Sequence, residues 1–224
     1  WPVVTTLWSG GTEAPDADVL AKDLFMRFPY EQGAARDDVS PRSFIATARS
    51  LDPEDLLAEL AVHRLDLVLS DIPLPPALSV TAFNHRLGGS NVGFYASAAL
   101  AERASGPFPA CLDGLPLLAP GADSAMGVRL TQWLGKHKLR PRVVGEFDDG
   151  ALVTELGKQG HGVFVAPMVL DQEVRTQYGA RLLGEATDLI EEFYVITVER
   201  RITHPGVAAI TQAARAGLFA AWNR

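Results

Sequence analysis

The chain has 224 residues, a formal net charge of −7 and 47% hydrophobic residues. That size can bury one large core or two modest ones. The acidic balance argues against a bare nucleic-acid-binding domain, which gathers Lys and Arg against phosphates, and no apolar run reaches the roughly 18 residues of a membrane-spanning helix.

In chain order, Val3 to Trp8 reads as a first strand and Ser9-Gly10-Gly11-Thr12 as a turn. Residues 16–28 place Val19, Leu20, Leu24 and Phe28 near helical spacing, and Ser43 to Ala48 suggests a second strand. Leu51 to Leu65 is the clearest helix. Asp52 is suited to cap it, Pro53 to open it, and Leu56, Leu57 and Leu60 form its apolar stripe. Asp66 to Ser70 is a short buried strand ended by Pro73, Pro75 and Pro76.

The middle of the chain reads as strands at Val80–Leu87 and Asn91–Ala96, parted by Gly88-Gly89. A short helix at Ser97–Arg103 and a buried strand at Leu115–Ala119 follow. Pro120 to Ser124 leads into a helix reaching about Leu139, with Asp123 as its expected cap, and Arg142 to Glu146 is the next strand. The stretch from Glu146 to Pro167 then combines a strand end, an acidic loop, an amphipathic helix, a Gly160-His161-Gly162 corner and a proline-terminated strand. Strands at Arg181–Leu183 and Phe193–Val198 precede a terminal helix over Pro205–Trp222, with Val207, Ile210, Ala214 and Leu218 on one side. This alternation predicts an α/β fold built on parallel sheet.

The one cysteine, Cys111, cannot form an internal disulfide, which fits a reducing compartment, and its apolar setting reads as core packing. A phosphate-binding Gly-rich loop ending in Lys-Ser/Thr, a G-x-S-x-G elbow, H-E-x-x-H and C-x-x-C are all missing, so no enzyme class is indicated. The start at Trp1-Pro2 suggests a fragment or a processed product.

Two segments carry a family resemblance. Asp55 to Asp71, a helix running into Leu65-Asp66-Leu67, resembles the first lobe of LysR-type transcriptional regulators, and Gly157 to Pro167 resembles the glycine corner of their second lobe. The likeness extends to the subgroup that activates sodium/proton antiporter genes. It runs through Phe83-Asn84-His85-Arg86-Leu87-Gly88, the stretch from Gly106 to Gly114, Arg140 to Phe147, Phe193-Tyr194 and Val198 to Arg201. It covers about Leu51 to Leu218, whereas residues 1–50 match that subgroup poorly.

The resemblance implies a two-lobed, periplasmic-binding-protein-like α/β fold whose chain crosses twice between lobes. The expected division is 1–93 for the first lobe, 94–196 for the second and 197–224 for the return. It also implies a cytoplasmic effector-binding domain that self-associates as a dimer or tetramer, through stripes at 16–28 and 149–156. DNA would be reached only through an N-terminal domain outside this chain, and neither a cofactor nor a membrane is implied. The rival reading is a solute-binding protein of a transport system, which shares the two-lobed plan.

Small-molecule sites in such folds lie at strand C-terminal ends and helix N-termini. The effector-binding candidates are therefore Ser9, Thr12, Ser70, Asp71, Asp123, Ser124, Phe147, Gly160, His161 and Gly162. Hydroxyls and free backbone N–H groups suit an anionic or carboxylate effector. The same residue types also cap helices and form turns wherever they occur. Asp71, Asp123, Asp148 and Asp149 raise a direct cation site, since hard cations prefer oxygen ligands. His161 raises a pH response, since imidazole titrates near neutrality.

Overall fold

The computed structural model describes the backbone of residues 2–7 and 45–50, and residues 57–58, 60–63, 65–74, 82–147 and 150–223. The helix expected over 16–28 lies outside them. The chain forms two compact units, Trp1–Gly89 with Glu192–Arg224, and Ser90–Glu191. It passes from one to the other twice, inside two long strands. The lobe boundaries expected at 93/94 and 196/197 stand four and five residues downstream of these crossings.

The first unit holds β1 (Pro2–Leu7), β2 (Ile45–Ser50) and β3 (Val68–Ser70). Parts of β4 (Phe83–Ala96) and β8 (Arg181–Thr197) complete it, in the order β2-β1-β3-β8-β4. β1 runs antiparallel to β2, with Pro2 opposite Ser50 and Leu7 opposite Ile45. It is also antiparallel to β3, and β3 is antiparallel to β8, with Ser70 opposite Tyr194. The parallel sheet expected from the alternating pattern is thus corrected here. Strand sense depends on how the long connections cross the sheet, which local periodicity does not encode. Leu57 and Leu60, from the predicted leucine stripe, pack with Leu65, Val68 and Ile196 into this unit's core.

β4 corrects the two-strand reading of 80–96, because it continues through Gly88-Gly89 as one 14-residue strand. The glycines make room for rings. A β-carbon at 88 would overlap Phe219, and one at 89 would stand 2.8 Å from Trp222 Cε2. β8 is likewise a single 17-residue strand where two were expected. Its Gly184 lies against the ring of Phe108, within the second unit. The break inferred from Gly88-Gly89 is a point of close packing, and so is Gly184.

The terminal helix is shorter than predicted. α5 (Pro205–Ala213) gives way to a π-helical turn over Ala214–Leu218. The extra residue in that turn shifts the buried face by one position, so Phe219 is fully buried and Leu218 only partly.

The second unit contains α1 (Ala98–Ala101), β5 (Pro116–Pro120), α2 (Ala125–Lys136) and β6 (Arg142–Phe147). α3 (Gly150–Lys158), β7 (Phe164–Pro167) and α4 (Asp171–Tyr178) follow. α4 has no counterpart among the predicted elements. β5 and β6 are parallel, and Leu117 bridges in parallel to Val163, just before β7. β7 is antiparallel to the end of β4, with Tyr95 opposite Phe164. The core gathers Val92, Phe94, Leu112, Leu117, Leu130, Trp133 and Leu189. Phe94, Phe108 and Trp133 form a mutual ring cluster, with centroids 5.1 to 6.0 Å apart. Cys111 is buried, and loss of hydration raises its thiol pKa.

Candidate functional site

The candidate residues of the second unit fall at two ends of one strand. At the C-terminal end of β5, Gly121 N–H donates to Phe147 O at 3.0 Å, tying this turn to the end of β6. Ser124 N–H donates to Gly121 O at 2.9 Å. The Ser124 hydroxyl accepts from Gly127 N–H at 2.9 Å and caps α2. The cap is therefore Ser124 rather than the expected Asp123, whose side chain is exposed. Helix geometry leaves the next N–H groups of the first turn, at Ala125 and Met126, without intrahelical acceptors. Asp123, Ser124 and the Phe147 backbone thus share a strand-end surface with backbone donors and a hydroxyl, while the Phe147 ring lies back over Gly145. Such a surface can hold the carboxylate or hydroxyl of a small solute.

Gly160, His161 and Gly162 do not join them. Val163 N–H donates to Pro116 O at 2.7 Å, and Leu118 N–H donates to Val163 O at 2.8 Å. Because β5 and the Val163 segment are parallel, the corner before Val163 lies at the N-terminal end of β5, away from Ser124. The corner is a helix stop. Gly160 has φ +86°, its N–H donates to Gly157 O, and His161 N–H donates to Leu156 O. That pair of hydrogen bonds is the Schellman pattern that closes α3. His161 is exposed beyond it. Ser97, which caps α1 by accepting from Leu100 N–H, packs beside Gly160. Sequence reasoning did not connect these two, which are 63 residues apart.

In the first unit, Ser70 is 1% exposed at the end of β3. Its hydroxyl donates to Ile72 O at 2.7 Å and accepts from Ile72 N–H at 3.2 Å, a local turn that occupies its proton and one lone pair. Asp71 is half-buried in that turn. Ser9 and Thr12 lie outside the described residues, as do Asp148 and Asp149. Among the described residues, no group of three His, Cys, Asp or Glu side chains is placed to hold a metal ion. No helix among them is long and apolar enough to cross a membrane.

The second unit also carries a polar cluster that the sequence did not reveal. Asp188, on β8, accepts from Trp133 Nε1 at 2.6 Å and Lys136 Nζ at 2.6 Å, and meets His137 Nε2 at 3.2 Å. The Lys136 hydrogen bond, followed by that of Trp133, holds its carboxyl well below the usual range. The helical spacing of Trp133, Lys136 and His137 placed them on one face, but not the strand that meets it.

Residues 47–222 match the family described as LysR substrate binding domain. The chain belongs to that family. Over 203 residues, this LysR substrate-binding domain is 34% identical to the transcriptional activator protein NhaR of Escherichia coli K12. That alignment covers 91% of the chain and 65% of the relative, so the chain spans just under two thirds of the curated relative it matches. The regulatory domain of HypT from Salmonella typhimurium aligns with TM-score 0.53 and 19% identity, over 76% of this chain and 80% of that one. Vibrio fischeri DarR, solved with DNA, aligns with TM-score 0.56 and 15% identity, over 88% and 62% of the two chains. These structures share the two-lobed α/β fold of LysR regulatory domains, and the chain is an effector-binding domain of that type.

Proposed function

We propose that this domain is the sensing part of a transcriptional activator that controls sodium/proton antiporter expression. The observation that carries the reading is the 34% identity to transcriptional activator NhaR, held over 91% of the chain. A small solute or ion binds the domain and favours one of its conformations, and that preference is transmitted to a DNA-binding domain outside this chain. A coupling of about 1–3 kcal/mol is enough for a several-fold response. Within the second unit, Asp123 and Ser124 at the start of α2 supply the contacts to the solute. The protein works in the cytoplasm as a dimer or tetramer, and no covalent chemistry is assigned to it.

The test is a reporter driven by the antiporter promoter, in cells lacking their own activator and supplied with the intact gene. Added sodium, or a shift to alkaline pH, should raise expression several-fold. Full-strength DNA binding with an unresponsive reporter would reject antiporter control. Titration of the isolated domain with sodium and potassium chloride at constant ionic strength separates the effectors, since direct sodium sensing requires saturable heat with sodium alone.

A further inference from the structure

A second opening lies wholly in the first unit. It is an open groove of about 530 Å³ where the start of β4 meets α5 and the π-helical turn. Leu87, Ile202, Ala208 and Ala216 give it apolar walls, and Arg86 and Arg215 bring two guanidinium groups to its lining. In a chain of net charge −7, two cations at one groove mark a local reversal of sign.

Both arginines are held in place. Arg215 donates from Nε and Nη2 to Arg86 O, which fixes its guanidinium plane and leaves Nη1 without a partner among the described residues. Arg86 uses Nε to pair with Glu192 at 2.9 Å, leaving its terminal nitrogens without one. Asn223 closes the rim by donating to Leu87 O. Thr211 forms part of the wall at 4% exposure, and its hydroxyl has no hydrogen-bond partner among the described residues. A buried hydroxyl without a partner is uncommon, and here it stands in a wall that also presents unused guanidinium donors.

We propose that this groove is a second small-molecule site, separate from the strand-end surface, that takes a small organic acid with an apolar body. The carboxylate meets the free nitrogens of Arg86 and Arg215, whose planar donors match its two oxygens. The hydrocarbon part lies on Leu87, Ile202, Ala208 and Ala216. The groove volume falls within the range of ordinary small-ligand pockets.

Titration calorimetry with phenylacetate, and with phenylacetamide as its neutral counterpart, tests the site on the 224-residue chain. Phenylacetate should bind saturably, and phenylacetamide at least about tenfold more weakly, as expected for a charge-assisted contact. Arg86→Gln should weaken phenylacetate by a similar factor. Ala216→Trp, which fills the groove from an exposed position, should abolish binding while circular dichroism stays unchanged. Ser124→Ala, in the other unit, should leave it intact. No saturable binding of phenylacetate, equal binding of the amide, or binding indifferent to Ala216→Trp would each overturn the proposal. Binding lost in Ser124→Ala alone would assign the acid to the strand-end surface and would also overturn it.

Discussion

The ring of Phe219 lies against the backbone of Gly88, where a β-carbon would stand 2.6 Å from Phe219 Cγ. Two segments 131 residues apart in sequence meet there, and Phe193 stacks on the same ring at 5.2 Å. Gly88→Ala should therefore destabilise the chain by about 1–3 kcal/mol, the usual cost of overpacking. The double variant with Phe219→Gly should lose less than the sum of the two single losses, because that change removes both the ring and the β-carbon that a side chain at 88 would meet. Urea unfolding measures all three variants, and strict additivity would contradict the contact.

Ser124→Ala removes the hydroxyl that caps α2 and leaves Gly127 N–H without its acceptor. The expected loss is about 0.5–2 kcal/mol, whereas Ser124→Asp, which restores an oxygen, should recover most of it. Thermal unfolding gives the stability, and amide exchange at Gly127 shows whether the local bond is gone.

At Gly160, φ is +86° and a β-carbon would meet Ser97 Oγ at 3.0 Å. Gly160→Ala should cost about 1–2 kcal/mol from the backbone conformation alone. Gly162→Ala is a separate case, because its obstacle is Leu118 Cγ at 2.8 Å. Ser97→Ala should ease the contact in Gly160→Ala but leave the backbone cost. Full rescue by Ser97→Ala would show that the left-handed conformation is not needed.

Asp188 predicts a pH dependence. Its folded-state pKa is lowered, chiefly by Lys136 and then by Trp133. Its contribution is therefore present above the unfolded carboxylate value of about 4 and is lost as pH falls toward the lower folded value. The side chain is 37% exposed, so the charge pair contributes about 1 kcal/mol or less. Asp188→Asn should be less stable than the parent at pH 7, and the gap should narrow below about pH 4. Denaturant midpoints at pH 7 and pH 3 test this, and an equal gap at both would exclude a charge-dependent role.

Much of the local structure was legible in the sequence. Leu57 and Leu60 marked a buried helical stripe, Val68 to Ser70 a short strand, and Gly160 a helix stop, because each depends on neighbours within about five residues. The cap of α2 was misplaced by one residue, since Asp123 and Ser124 are equally good acceptors by type. The candidate site was legible only in part. Serines and aspartates in strand-end loops were found, but Ser70 spends its hydroxyl on Ile72, and the Gly160 corner stands at the other end of β5 from Ser124.

The sequence by itself determined the family, the order of most elements and their buried stripes. Those features rest on residue type and short-range spacing. Only the tertiary structure decided that Gly88, Gly89 and Gly184 lie inside continuous strands, because each is demanded by an aromatic ring from a distant segment. It alone also decided the antiparallel sense of the first sheet and the meeting of Arg86 with Arg215, since both depend on where long connections return the chain.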